Sequence, residues 1–289
     1  MFNFIGRRKI WYIISLAIII PGICSLFFQG LNLGIDFTGG NLIQVKFNQE
    51  VSSQEVRNVF SEQINDGISV QEAEDNNFLV RTPVLTEEQG NKIITSLTSK
   101  IGENQILRNE HVGPVIGKEL ALNALYALAI ASVLMVIYIS FRFEFRFGIA
   151  GIISLLHDVL IVVGIFSLFQ IEVDSAFVAA ILTIVGYSIN DTIVIFDRIR
   201  ENLRGKNRKE ERAALINRSI TQTLARSINT VLTTLFPLLA LLLLGGATIK
   251  VFALALLIGI ASGCYSSIFV ASPIWFDLNN WAAAKKARA

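Results

Sequence analysis

Residues 175–196 read SAFVAAILTIVGYSINDTIVIF. At about 1.5 Å per residue this run matches the ~30 Å hydrocarbon core of a bilayer, and such length and apolarity define a membrane-spanning helix. Five more runs, at about 10–29, 121–141, 148–169, 222–244 and 250–272, have the same character. The chain of 289 residues is 53% hydrophobic and only 17% charged, with a mean hydropathy of +0.56. A soluble domain carries about a quarter charged residues, so that class is excluded. Disorder is excluded by the high hydrophobicity. A net charge of +2 supplies no basic field for nucleic acid. The fold expected is a membrane protein, an all-α bundle of six transmembrane helices.

Basic residues orient the spans. Arg7, Arg8 and Lys9, then Arg142 and Arg146, then eight Lys/Arg between Arg198 and Arg218, then Lys285, Lys286 and Arg288 fall on one side. The short turns near Glu172 and at 245–250 carry only Lys250. The positive-inside rule then places both termini in the cytoplasm. Arg7–Lys9 followed by an apolar run is also how a signal peptide begins. No A-x-A site follows, so the first run is expected to stay as a span. Cys24 and Cys264 lie inside apolar runs, which argues against a disulfide framework. Cys24 follows the bulky Ile23, which does not suit a lipid-attachment site.

Residues 31–119 are different. They are polar and lie on the outer side between spans one and two. Their pattern predicts a strand over 41–47, a helix over 52–64, strands over 68–74 and 77–82, a helix over 86–101 and a strand over 105–112. Ser52 and Glu55 form a capping box, and Thr86 is an N-cap. Asn76-Asn77 suits a tight turn. The order βαββαβ is the α+β ferredoxin-like arrangement. The organisation expected is therefore 1–30 (N-terminus and first span), 31–119 (inserted extracytoplasmic domain), 120–273 (spans two to six) and 274–289 (cytoplasmic tail). Within it, 197–219 is a charge-dense cytoplasmic segment with helical stretches. It is read as a solvated loop against anionic headgroups, with a docking surface for a cytoplasmic partner as the alternative.

Ionisable groups inside spans cost about 2.5–3.5 kcal/mol each on insertion scales, so each needs a reason. His157 and Asp158 lie in the third span, Asp191 in the fourth and Arg226 near the start of the fifth. Asp191 and Arg226 fall at similar depth on neighbouring antiparallel helices, about 9 Å inside their ends. Thr183, Tyr187, Asn190 and Asp191 share one face of span four. Arg226, Asn229, Thr230 and Thr233 share one face of span five. Facing each other, the two stripes would line a polar seam in the bundle. There Asp191 could take a proton while Arg226, permanently charged, biases it. That is a minimal proton relay; the alternatives are a permanent salt bridge, or an Arg226 that snorkels to the interface. His157 and Asp158 point about 100° apart on a helix and are not expected to form one site, although Asp158 can face the seam. Gly259, Ser262, Gly263, Ser266 and Ser267 of span six read as residues that permit close packing. No phosphate-binding loop, H-E-x-x-H or metal-ligand cluster is present in the sequence. An intramembrane protease built on Asp158 and Asp191 is disfavoured, because Asp191 lacks a Gly-x-Gly-Asp setting.

Three segments resemble one family. GIDFTGG at 34–40, with Gly34, Asp36, Gly39 and Gly40, is similar to the motif that opens the outer domain of the SecF family of bacterial preprotein translocase subunits. GYSINDTIVIFDRIREN at 186–202 and TQTLARSINTVLTT at 221–234 resemble that family's fourth- and fifth-span signatures. The likeness covers essentially the whole chain. The resemblance implies half of a transporter of the resistance–nodulation–division superfamily, six spans paired pseudo-symmetrically with SecD. It implies work with the SecYEG channel, with YajC in some cases, to draw a translocating preprotein across the membrane by the proton motive force. Asp191 and Arg226 fall on the family's proton pathway. Membrane lipids are the other implied contact; no cofactor, metal, nucleic acid or enzymatic activity is implied. The rivals are a half-transporter for small molecules or lipids and a scaffold that uses no energy.

Overall fold

The structure is a computed structural model and describes residues 2–64, 67–73, 76–142, 144–205 and 211–288. Each apolar run forms a helix, because a helix satisfies every backbone N–H and C=O within its own segment. With those of the polar segment and the C-terminal tail, the helices of the described residues are in order α1 (Arg8–Phe28), the one-turn α2 (Ile35–Thr38), α3 (Ser53–Ser61), α4 (Glu87–Lys100), α5 (Pro114–Arg142), α6 (Phe145–Leu168), α7 (Ser175–Arg204), α8 (Arg212–Leu244), α9 (Ala247–Ser266) and α10 (Ser272–Arg288). A π-helical turn, Ser267–Ala271, joins α9 to α10. Among the described residues six helices are long and apolar enough to cross a membrane. The chain divides into two units, Met1–Asn32 with Ala127–Ala289, and Leu33–Tyr126.

In the larger unit α9 packs on α6, α7 and α8, and α1 packs on α6. A Cβ built on Gly22 of α1 would lie 2.7 Å from the Gly164 Cα of α6, so those two backbones touch. Beside them the Ser25 and Ser167 hydroxyls are 2.7 Å apart. Asp174 caps α7, accepting from the Phe177 N–H at 2.8 Å. α7 and α8 run past the predicted ends of their spans. Residues 197–204 and 212–219 are helical, so the expected loop is two helix extensions around 205–211, of which 206–210 lie outside the described residues. Charged residues do not oppose a helix once it leaves the apolar layer, so hydropathy marks the span and not the helix end. Likewise residues 274–288 continue as α10.

The smaller unit contains β1 (Gly40–Phe47), β2 (Ser69–Ala73), β3 (Asn77–Thr82) and β4 (Asn104–Val112). All neighbours are antiparallel, in the order β2-β3-β1-β4. This is the strand order of the ferredoxin-like fold expected from the sequence. Glu74, the last residue of the predicted second strand, lies outside the described residues. The core joins Ile43, Val45, Phe47, Phe78 and Val80 of the sheet to Val56, Phe60, Ile93 and Leu97 of α3 and α4. Asn76 turns β2 into β3 at φ +55°. Both capping boxes form, Ser52 with Glu55 and Thr86 with Gln89.

The Ser52 backbone and hydroxyl donate to Glu55, which holds the Glu55 carboxyl below its ordinary range. A lowered folded value means this contribution is present above the ordinary glutamate range and lost as pH falls through the folded value. Ser52→Ala removes the cap and should weaken the first turn of α3. Hydrogen exchange of that turn in the whole chain should quicken. In the native chain the same turn should loosen on acidification. Unchanged exchange in the variant would count against the box.

Candidate functional site

The 34–40 motif is built for close approach. α2 is a single turn ending at Gly39, φ +74°, and Gly40, φ +134°. A Cβ on Gly40 would meet the Thr82 carbonyl at 2.4 Å. Ile35 and Phe37 are buried, and Thr38 Oγ1 donates back to the Gly34 carbonyl. Gly34 and Asp36 frame the turn. These residues shape the entry to the sheet domain.

α7 and α8 pack side by side, as the relay reading requires. Their contact differs from the predicted one. Asp191 Oδ1 accepts from Ser227 Oγ at 2.6 Å, and its Oδ2 is buried with no partner among the described residues. Among those residues Asp191 and Arg226 form no ion pair. Adjacent residues on a helix point about 100° apart, and here it is Ser227, not Arg226, that makes the hydrogen bond to Asp191. Ser227 is buried there, while Arg226 is exposed. Arg226 lines an open groove of about 480 Å³ with Asp197, Arg198, Glu201, Gln222 and Thr223.

The expected polar seam is likewise displaced. Tyr187 does bridge the helices, its hydroxyl donating to the Thr230 carbonyl at 3.0 Å and lying 2.7 Å from Thr234 Oγ1. Thr183, Asn190, Asn229, Thr230 and Thr233 are exposed. Thr183 and Thr233 bond only to their own helices. Helical periodicity groups these residues on one face. It could not say that this face lies on the open side of the α7–α8 pair and not inside the bundle.

A second polar cluster corrects the expectation for α6. Asp158 is fully buried and His157 is 6% exposed. His157 Nδ1 lies 2.9 Å from Asp158 Oδ1, because the two side chains swing back toward each other despite the diverging Cβ directions. Ser262 Oγ donates to Oδ1 at 2.7 Å. Ser188 Oγ and Ser266 Oγ donate to Oδ2 at 2.6 and 2.7 Å. Ser262 and Ser266 therefore bind a carboxylate as well as packing closely. Their i, i+4 spacing was the available signal, as was Ser188 three residues before Asp191. Ser267 reaches Thr192 instead, their hydroxyls 2.8 Å apart. Among the described residues no group of three or more His, Cys, Asp or Glu could hold a metal ion.

Six apolar helices, buried carboxylates within them and an inserted four-stranded domain define a multi-pass membrane protein. The family described as "Protein export membrane protein SecD/SecF, C-terminal" matches residues 92–281, and the "SecD/SecF GG Motif" matches 25–51. Protein translocase subunit SecF of Sebaldella termitidis is 44% identical over 284 residues, covering 96% of this chain and 92% of its own length. Protein translocase subunit SecDF of Bacillus subtilis is 43% identical over 280 residues, covering 94% of this chain but 37% of its own. A crystal structure of SecDF, a translocon-associated membrane protein from Thermus, superposes with a TM-score of 0.89 at 40% identity. It covers 96% of this chain, which spans 39% of that one. The chain belongs to the SecF family of protein translocase subunits.

Proposed function

We propose that the chain is the SecF half of a SecD–SecF assembly in the bacterial cytoplasmic membrane. The assembly uses the proton motive force to assist late steps of preprotein translocation through the SecYEG channel, with YajC as a further partner. The chain itself is not an enzyme; Asp191 is the group that takes and releases the proton, and Arg226 is the fixed charge that biases it. Both termini are cytoplasmic and the sheet domain lies on the outer side, where it meets the emerging polypeptide.

One observation carries this reading. Thr183, Asn190, Asn229, Thr230 and Thr233 form an exposed polar face within two apolar spans. Polar groups at membrane depth are expensive unless they meet protein or a water-filled passage. A second subunit seated on α7 and α8 would cover them and place Asp191 at the interface. SecDF relatives in which both names are joined in one chain supply the partner's identity.

Cross-linking tests the reading. In a chain with Cys24 and Cys264 changed to Ser, Asn229→Cys should cross-link to co-expressed SecD. Ile13→Cys, 65% exposed on α1, should not. Equal cross-linking from both positions would sink the proposed interface.

A further inference from the structure

Asp158 accepts four hydrogen bonds, two on each oxygen. A carboxylate has about four acceptor positions, so these four contacts fill Asp158. A buried carboxylate is stabilised by hydrogen bonds and by a neighbouring positive charge. Among the described residues no Lys or Arg pairs with it; His157 is the basic side chain in contact with it. His157 Nε2 lies 2.9 Å from Ser15 Oγ on α1. Ser15 Oγ lies 3.5 Å from the Tyr265 hydroxyl, which donates to the Trp11 carbonyl at 2.9 Å.

These directions depend on one proton. With the ring doubly protonated, Nε2–H donates to Ser15, Ser15 donates to Tyr265, and Tyr265 donates to Trp11. With the ring singly protonated, Nδ1–H stays on Asp158 and Nε2 becomes an acceptor. Ser15 must then turn its hydrogen back to His157, and Tyr265 loses its donor. The cluster thus has two arrangements that differ in how α1 is bonded to α9. Ser154, one turn before Asp158 on α6, has a buried hydroxyl with no partner among the described residues. Ionisable groups on the surrounding helices include Tyr12 of α1, bonded to Asp277 of α10, Tyr187 of α7, bonded to Thr230, Asp191 of α7, bonded to Ser227, and Cys264 and Tyr265 of α9. The Tyr265 ring stacks on His157 at 6.0 Å. The π turn contributes none.

We propose that His157 and Asp158 form a second proton-binding site, which takes up one proton as a pair and transmits its occupancy to α1 through the Ser15 hydroxyl. Among the described residues the two carboxylates share no hydrogen-bond donor, although Ser188, which donates to Asp158, lies three residues before Asp191 on α7, so they count as two sites.

The chain contains two histidines. In His111→Asn, whose change lies in the other unit, nitrogen-15 histidine labelling reports His157 alone. The probe is the full chain in vesicles of phosphatidylethanolamine and phosphatidylglycerol, followed by solid-state NMR from about pH 5 to pH 9, the range in which histidine charge changes. The expected result is a ring that passes from two protonated nitrogens to one, with Ser15→Ala changing the pH of that passage. A ring in the same state at every pH, charged or neutral, would overturn the proposal; a passage unmoved in Ser15→Ala would overturn its link to α1. Asp191→Asn should leave the passage in place. Its disappearance there would make the two carboxylates one site, which overturns a second one without touching the relay reading.

Discussion

Asp191→Asn should fold, assemble with SecD and lose the gradient-driven part of preprotein export. The substitution keeps the shape and keeps an oxygen to accept from Ser227, whose hydroxyl lies 2.6 Å from Asp191 Oδ1. It removes only the ability to take a proton. One charge crossing 100 mV supplies ~2.3 kcal/mol, a bias of roughly 40- to 50-fold on a two-state motion. That is enough to set the direction of a domain movement and too little to unfold a stable cargo. Export in vesicles with an imposed proton gradient should therefore fall to the level seen without the gradient. Arg226→Ala should fall in the same way, because a fixed charge no longer biases the site. It should also leave folding intact, since Arg226 is exposed on the groove side of α8. Export that stayed gradient-dependent in Asp191→Asn would make the α7–α8 contact a structural one and favour a scaffold.

This experiment turns on a feature that sequence could supply only in half. Hydropathy located α7 and α8, and a lone aspartate in an apolar run marked Asp191 as a group needing a reason. The 3.6-residue period then sorted polar residues onto common faces. What the period lacks is the rotation of one helix against its neighbour. That rotation decides between Arg226 and Ser227, and it set Ser227 on Asp191. The same gap hid the Asp158 cluster. Ser262 and Ser266 are small, and small residues at helix crossings ordinarily mean close packing. Only the position of α6 shows that their hydroxyls also fill a carboxylate. The sheet domain was more legible, because its capping boxes, its turn at Asn76 and its alternating strands are set by local chemistry.

The helix crossing of α1 on α6 should tolerate no larger residue at either of its glycines. A Cβ on Gly22 would lie 2.7 Å from the Gly164 Cα, and a Cβ on Gly164 would lie 2.9 Å from the Gly22 Cα. In both cases the obstacle is backbone, so no rotamer change relieves it. Even alanine forces the two helices apart, and leucine forces them further. Overpacking commonly costs about 1–3 kcal/mol where side chains can adjust; a backbone clash should exceed that range. Separation would also pull Ser25 from Ser167 and Ser15 from His157, leaving buried polar groups unpaired. Gly22→Leu and Gly164→Leu should each sharply reduce the amount of folded chain recovered in detergent and lower its melting temperature. Gly186→Leu gives the contrast. Nothing lies within 4 Å of a Cβ at Gly186, on the exposed polar face of α7. That variant should fold as well as the native chain and fail instead to hold SecD, because its bulk projects where the second subunit would sit. If Gly186→Leu lost folded chain while Gly164→Leu did not, the assignment of an inner crossing and an outer docking face would be reversed.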